Sequence, residues 1–196
     1  MWGYPEFAIS DAGHLVYDTG GQANSGSDEL ISIIDRDGEV TQLAPSRLAG
    51  DFEAVDVSPD GRYLAIMMQV GNASGDLWVY DKVQESFSPL TSTVEREDLP
   101  IWSPDGRFLY YVVVQGGDRN SVYRVPADAS GPPEVVLTAD TQLEDIDMSA
   151  DGRYMVFKAQ GPAGNQDDIC RLFRYRNKRH YSDFQIIPTW DSKWLR

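Results

Sequence analysis

Cysteine is nearly absent. Cys170 is the only one in 196 residues, so no disulfide can form within the chain. A β-rich core of this size does not need such staples, and a lone cysteine reads as a small buried apolar residue compatible with a reducing compartment. Basic side chains are scarce as well. Seventeen Lys and Arg stand against 31 Asp and Glu, a formal net charge of −14, which argues against a nucleic acid held through its phosphates. No apolar run approaches the length that spans a bilayer, and helical periodicity is nowhere persuasive. The opening residues Met1-Trp-Gly-Tyr-Pro-Glu carry neither region of a secretory signal, so the expectation is a soluble chain of open compartment.

Signatures of catalysis are missing too. There is no Gly-x-Ser-x-Gly pentapeptide, no kinase Gly-rich loop and no His-Arg-Asp. The two histidines, His14 and His180, have no nucleophile signature beside them. The expectation is a protein that is not an enzyme and takes no cofactor or metal.

What the chain does have is a repeat. Ser58-Pro-Asp-Gly-Arg-Tyr-Leu64 recurs as Ser103-Pro-Asp-Gly-Arg-Phe-Leu109 and as Ser149-Ala-Asp-Gly-Arg-Tyr-Met155. A reduced copy, Ser10-Asp-Ala-Gly-His-Leu15, precedes them, and the starts lie 48, 45 and 46 residues apart. Such a period points to a repeat architecture rather than one mixed core.

Each period divides into four apolar stretches. One runs into the signature, as in Phe52-Glu-Ala-Val-Asp-Val57, with partial alternation. The next is continuously apolar, as in Phe108-Leu-Tyr-Tyr-Val-Val-Val114, and suits a strand covered on both faces. Third and fourth stretches such as Leu77-Trp-Val-Tyr80 and Phe87-Ser-Pro-Leu-Thr91 follow. Four strands per repeat, repeated, predict an all-β propeller of four-stranded antiparallel blades. The repeats cover about 5–44, 52–91, 99–138 and 144–188 as one domain, with a tail at 189–196. The turn residues Asp60, Gly61, Asp105, Gly106, Asp151 and Gly152 serve the structure, since Asp closes the turn through its carboxylate and Gly accepts a positive φ. In the first repeat the Asp is displaced by one position, which predicts a different turn geometry.

These residues resemble the WD-repeat-like propeller repeat shared by the TolB C-terminal domain, tricorn-type proteases and prolyl oligopeptidase relatives. That pattern stands here as Pro100-Ile-Trp-Ser-Pro-Asp-Gly106. The segments Ile34-Asp-Arg-Asp-Gly-Glu39, Asp76-Leu-Trp-Val-Tyr-Asp81 and Val125-Pro-Ala-Asp128 are similar to propeller domains of large bacterial proteins. The resemblance implies a scaffold whose function resides in grafted sites.

Five carboxylates are candidate ligand groups: Glu53, Asp56, Glu144, Asp145 and Asp147. On first strands they would line the propeller channel, either as an acidic ring for a cation or basic peptide or as solvated walls. Asp35-Arg-Asp-Gly38 lacks the distal ligands of a calcium loop and reads as a β-turn. Asn72-Ala-Ser74 reads as an ordinary loop. Residues 171–196 carry a local +5, leaving −19 on residues 1–170. Trp194-Leu-Arg196 leads toward a signature that the chain does not reach, so the ring is expected to be open or truncated. The functional expectation is a non-catalytic binding module for a protein or peptide, with self-association through exposed blade faces. The alternative is the substrate-gating propeller portion of a serine peptidase whose catalytic domain lies elsewhere.

Overall fold

The computed structural model describes residues 7–11, 13, 15–18, 31–35, 37–43, 51–69, 74–116, 120–139, 142–159, 169–174 and 184–186. Among them there is no helix, and so none long and apolar enough to cross a membrane. Sixteen strands form four antiparallel sheets. The first sheet holds β1 (Phe7–Ile9), β2 (Leu15–Asp18), β3 (Ile31–Ile34) and β4 (Val40–Leu43). The second holds β5 (Asp51–Val57), β6 (Tyr63–Gln69), β7 (Asp76–Asp81) and β8 (Ser86–Pro89). The third holds β9 (Arg96–Trp102), β10 (Phe108–Val114), β11 (Asn120–Pro126) and β12 (Glu134–Ala139). The fourth holds β13 (Leu143–Met148), β14 (Tyr154–Ala159), β15 (Ile169–Arg174) and β16 (Phe184–Ile186). Within each sheet the strands lie in chain order. First strands neighbour one another in the series β1, β5, β9, β13. The four sheets are blades of a partial β-propeller, and they do not close into a ring.

The signature sets each hairpin between first and second strands. In the second blade the Ser58 hydroxyl donates to Asp60 Oδ1 at 2.6 Å and accepts the Tyr63 N–H at 2.8 Å. Asp60 Oδ1 also takes the Arg62 N–H at 3.0 Å. The Gly61 N–H closes the turn on the Ser58 carbonyl at 2.7 Å, with φ at 71°. Ser103, Asp105 and Gly106 repeat this set, as do Ser149, Asp151 and Gly152. The hydroxyl contacts hold the Asp60 and Asp105 carboxyls below their ordinary value, and that of Asp151 down to about 2. In the first blade Gly13 keeps the bond to the Ser10 carbonyl and a positive φ of 83°. Its hairpin is one residue shorter, with Ile9 opposite Leu15 where Val57 stands opposite Leu64. The turns also stack from blade to blade: a side chain at Gly106 would meet the Pro59 ring, and one at Gly152 the Pro104 ring.

Apolar second strands fill the joints because their two faces meet different neighbours. Leu64, Ile66 and Met68 of β6 pack with Val16, Ile31 and Ile33 of the first blade. Ala65 and Met67 of the same strand pack with Trp102, Leu109 and Tyr111 of the third. Tyr110 and Val112 then meet Ile146, Met155 and Phe157 of the fourth. Fully burying a Val, Leu, Ile, Met or Phe side chain in such a joint contributes about 1.5–3 kcal/mol.

Candidate functional site

The joint between the second and third blades differs chemically from its neighbours. On the channel side, half-buried Asp56 of β5 accepts the Val57 N–H at 2.8 Å and the Trp102 N–H at 2.7 Å. The second bond crosses from blade to blade. Burial pushes the Asp56 carboxyl up to about 6, against those two N–H groups, and the charge of Asp147 adds to the rise. The matching positions, two residues before the signature serine, are Ala8, Ile101 and Asp147. Asp147 accepts its own neighbour, the Met148 N–H, at 2.7 Å. Asp147 and Asp145 are exposed on β13. Glu53 and Glu144 lie on β5 and β13, with side chains outside the described residues. Of the five predicted channel carboxylates, Asp56 and Asp147 are thus engaged with main chain and electrostatically coupled. Among the described residues no three acidic, His or Cys side chains converge as metal ligands.

The same joint holds a second carboxylate. Glu97 of β9 is fully buried and takes hydrogen bonds from the Thr91 hydroxyl and, at 3.1 Å, the Thr93 hydroxyl. Thr91 Oγ1 in turn accepts the Leu77 N–H of the second blade at 2.9 Å. The equivalent positions are Phe52 and Leu143, both buried and apolar. Burial raises the Glu97 carboxyl, opposed by the two threonine hydroxyls. Glu97 thereby ties the linker between the blades to both of them.

The same two blades leave a groove of about 590 Å³ between them. One wall comes from β7 and β8 with Val79, Ser86, Ser88 and Pro89, and the other from the turns Gly106–Phe108 and Pro126–Ser130. Tyr63 and Trp102 line it and stack on one another, with ring centroids 6.2 Å apart. Trp102 is 7% exposed, and its indole N–H has no acceptor among the described residues. Arg62 covers the Tyr63 ring at 4.8 Å and pairs with Asp81 at 2.7 Å. Arg107 lies 5.8 Å from the Phe108 ring. An apolar floor with hydroxyls and charges at the rim is suited to holding an extended segment by area and orienting it by a few polar bonds.

Sequence reasoning singled out five carboxylates as channel candidates but not this groove. Its residues lie in four separate segments, brought together only by the packing of one blade on the next. The one available signal was asymmetry among repeats: Trp102 replaces Val57 or Met148, and Glu97 replaces Phe52 or Leu143. Asp35 closes its turn as expected, with Oδ1 accepting the Asp37 and Glu39 N–H groups at 2.9 Å each. Cys170 lies on β15, with its side chain outside the described residues, as are His14, Asn72, His180 and the tail 189–196.

No protein-family model and no curated protein matches the chain. Solved structures do match in fold. TolB from Acinetobacter baumannii is 16% identical at a TM-score of 0.71, over 93% of this chain and 43% of that one. A putative TolB from Agrobacterium tumefaciens is 20% identical at 0.70, over 86% and 60%. A chain of the nidogen/laminin complex is 13% identical at 0.65, over 87% and 60%. The chain therefore spans about half the length of these structures. The likeness shows the fold, a TolB-like β-propeller.

Proposed function

We propose that the chain is a non-catalytic binding module that docks a segment of a protein or peptide partner in the groove between the second and third blades. The observation that carries the reading is the groove itself. A stacked Tyr63–Trp102 pair lines a cleft large enough for several side chains, at a joint clasped by Asp56 and Glu97. Aromatic walls supply contact area at low entropic cost and are common anchors of recognition. The occurrence of a similar propeller in a complex of nidogen with laminin is consistent with protein partnering. The channel carboxylates are the weaker candidate, because Asp56 already spends both oxygens on main-chain donors. A peptidase-gating role rests on resemblance of the repeat and on a likeness of fold to prolyl endopeptidases, and no side chain of the groove favours it.

The test is a selection of random dodecapeptides displayed on phage against the full chain, followed by Kd measurements on the enriched peptides. Ser88 is exposed on the edge strand β8 and lines the groove. Ser88→Trp should fill the groove without touching the core and weaken those peptides at least about tenfold. Peptides that bind Ser88→Trp as tightly as the unaltered chain would remove the groove as the site.

A further inference from the structure

The repeats place one arginine in the same position three times: Arg62, Arg107 and Arg153, each directly after the signature glycine. Two of the three are neutralised by their own blade. Arg62 reaches β7 and pairs with Asp81 through two nitrogens, at 2.7 and 3.3 Å. Arg153 turns back on Asp151 at 2.6 Å. In the third blade the register is the same as in the second: Tyr63 stands opposite Asp81, and Phe108 stands opposite Pro126. The following main-chain bonds match too, from the Lys82 N–H to the Arg62 carbonyl and from the Ala127 N–H to the Arg107 carbonyl. Pro126 therefore occupies the place of the carboxylate that would neutralise Arg107. Arg107 has no ion pair among the described residues, though its charge helps to lower the Asp105 carboxyl; its guanidinium lies by the Phe108 ring, and the residue lines the groove.

Of the two carboxylates that line the groove, one is neutralised and the other keeps its charge. Asp81 is held by Arg62 and caps the Val83 N–H at 2.8 Å, while Asp128 accepts the Ser130 N–H at 3.0 Å. A guanidinium without an ion pair beside an aromatic ring fits a carboxylate attached next to an apolar group. We propose that the groove recognises an extended acidic peptide, with an Asp or Glu side chain of the partner paired to Arg107 and an adjacent apolar side chain laid against Tyr63 and Trp102. The proposal rests on the groove reading above and makes Arg107 its specificity-determining residue.

The probe is a set of three octapeptide pools, random except for a central Leu-Glu, Leu-Gln or Leu-phosphoserine, with amidated C-termini. Retention by the full chain is compared with retention by Arg107→Ala, Arg107→Lys and Ser88→Trp. The unaltered chain should favour the Glu pool over the Gln pool about tenfold. Arg107→Ala should erase that preference with no change in thermal midpoint, since the side chain is exposed, and Arg107→Lys should restore part of it. A preference that survives Arg107→Ala overturns the proposal, and so does a phosphoserine pool retained well above the Glu pool. Equal retention of Glu and Gln pools that is lost in Ser88→Trp overturns the acidic specificity but leaves the groove standing. Retention of no pool removes both.

Discussion

At the scale of single residues, the signature explains its own composition. Ser, Asp and Gly are each fixed by a bond that another side chain could not make: a hydroxyl that donates and accepts, a carboxylate that gathers two donors, a residue at positive φ. Asp56 works differently, since it is a clasp between blades and carries the cost of burial. Its folded-state carboxyl holds a proton up to about pH 6, while an unfolded Asp releases it near 3.8. A raised value means that folding takes up a proton between those limits. The associated stability is full below the lower limit and is lost as pH rises through about 6. Urea midpoints should therefore decrease from pH 4 to pH 7, and Asp56→Asn should flatten that slope by about 1–2 kcal/mol after screening. Glu97, raised by burial in the same sense, adds to the slope. An unchanged pH dependence in Asp56→Asn would show that the Asp56 carboxyl is not buried between the blades in solution. The turn residues were legible in the sequence because their chemistry is local. The role of Asp56 was not, because its partner Trp102 lies 46 residues away.

At the scale of elements, the same strand position has different surroundings in successive blades. Tyr110 of β10 and Val156 of β14 both stand seven residues beyond the signature serine. Tyr110 is 5% exposed beneath the fourth blade, whereas Val156 is 39% exposed. Tyr110→Ala should cost about 3–5 kcal/mol, as for other large aromatic side chains removed from a core. Val156→Ala should cost less than about 1 kcal/mol. Chemical unfolding of the two variants measures the difference. A Val156→Ala cost above about 2 kcal/mol would mean that this face is covered in solution. Continuously apolar second strands announced their two-sided burial in advance, since both faces of each are needed to seat two neighbours. Which blades would lack a neighbour does not follow from a strand's own residues, because strands of similar pattern are covered in one blade and bare in another.

At the scale of the whole molecule, two opposing forces act on the open arc. The first blade leaves Phe7 and Ile9 at 57% and 65% exposure, and the fourth leaves Val156 partly bare. Apolar side chains at both ends of a stack of blades favour self-association. The net charge of −14 opposes it, because approaching copies repel over a distance set by the ionic strength. Salt should therefore promote association, which is the reverse of what an ion-paired interface would do. In sedimentation velocity the weight-average mass should rise with protein concentration, and rise more steeply at about 0.5 M than at about 0.05 M salt, where the screening length is several-fold longer. Replacing Ile9 by Lys puts a charge on the exposed face of β1 without disturbing Ala8, which faces the second blade. That variant should stay monomeric at concentrations where the unaltered chain associates, with its thermal midpoint nearly unchanged. A mass independent of concentration and salt would show that the end faces do not drive association. A mass that falls with added salt would place the contact on charged surfaces instead, and Ile9→Lys would then leave it intact.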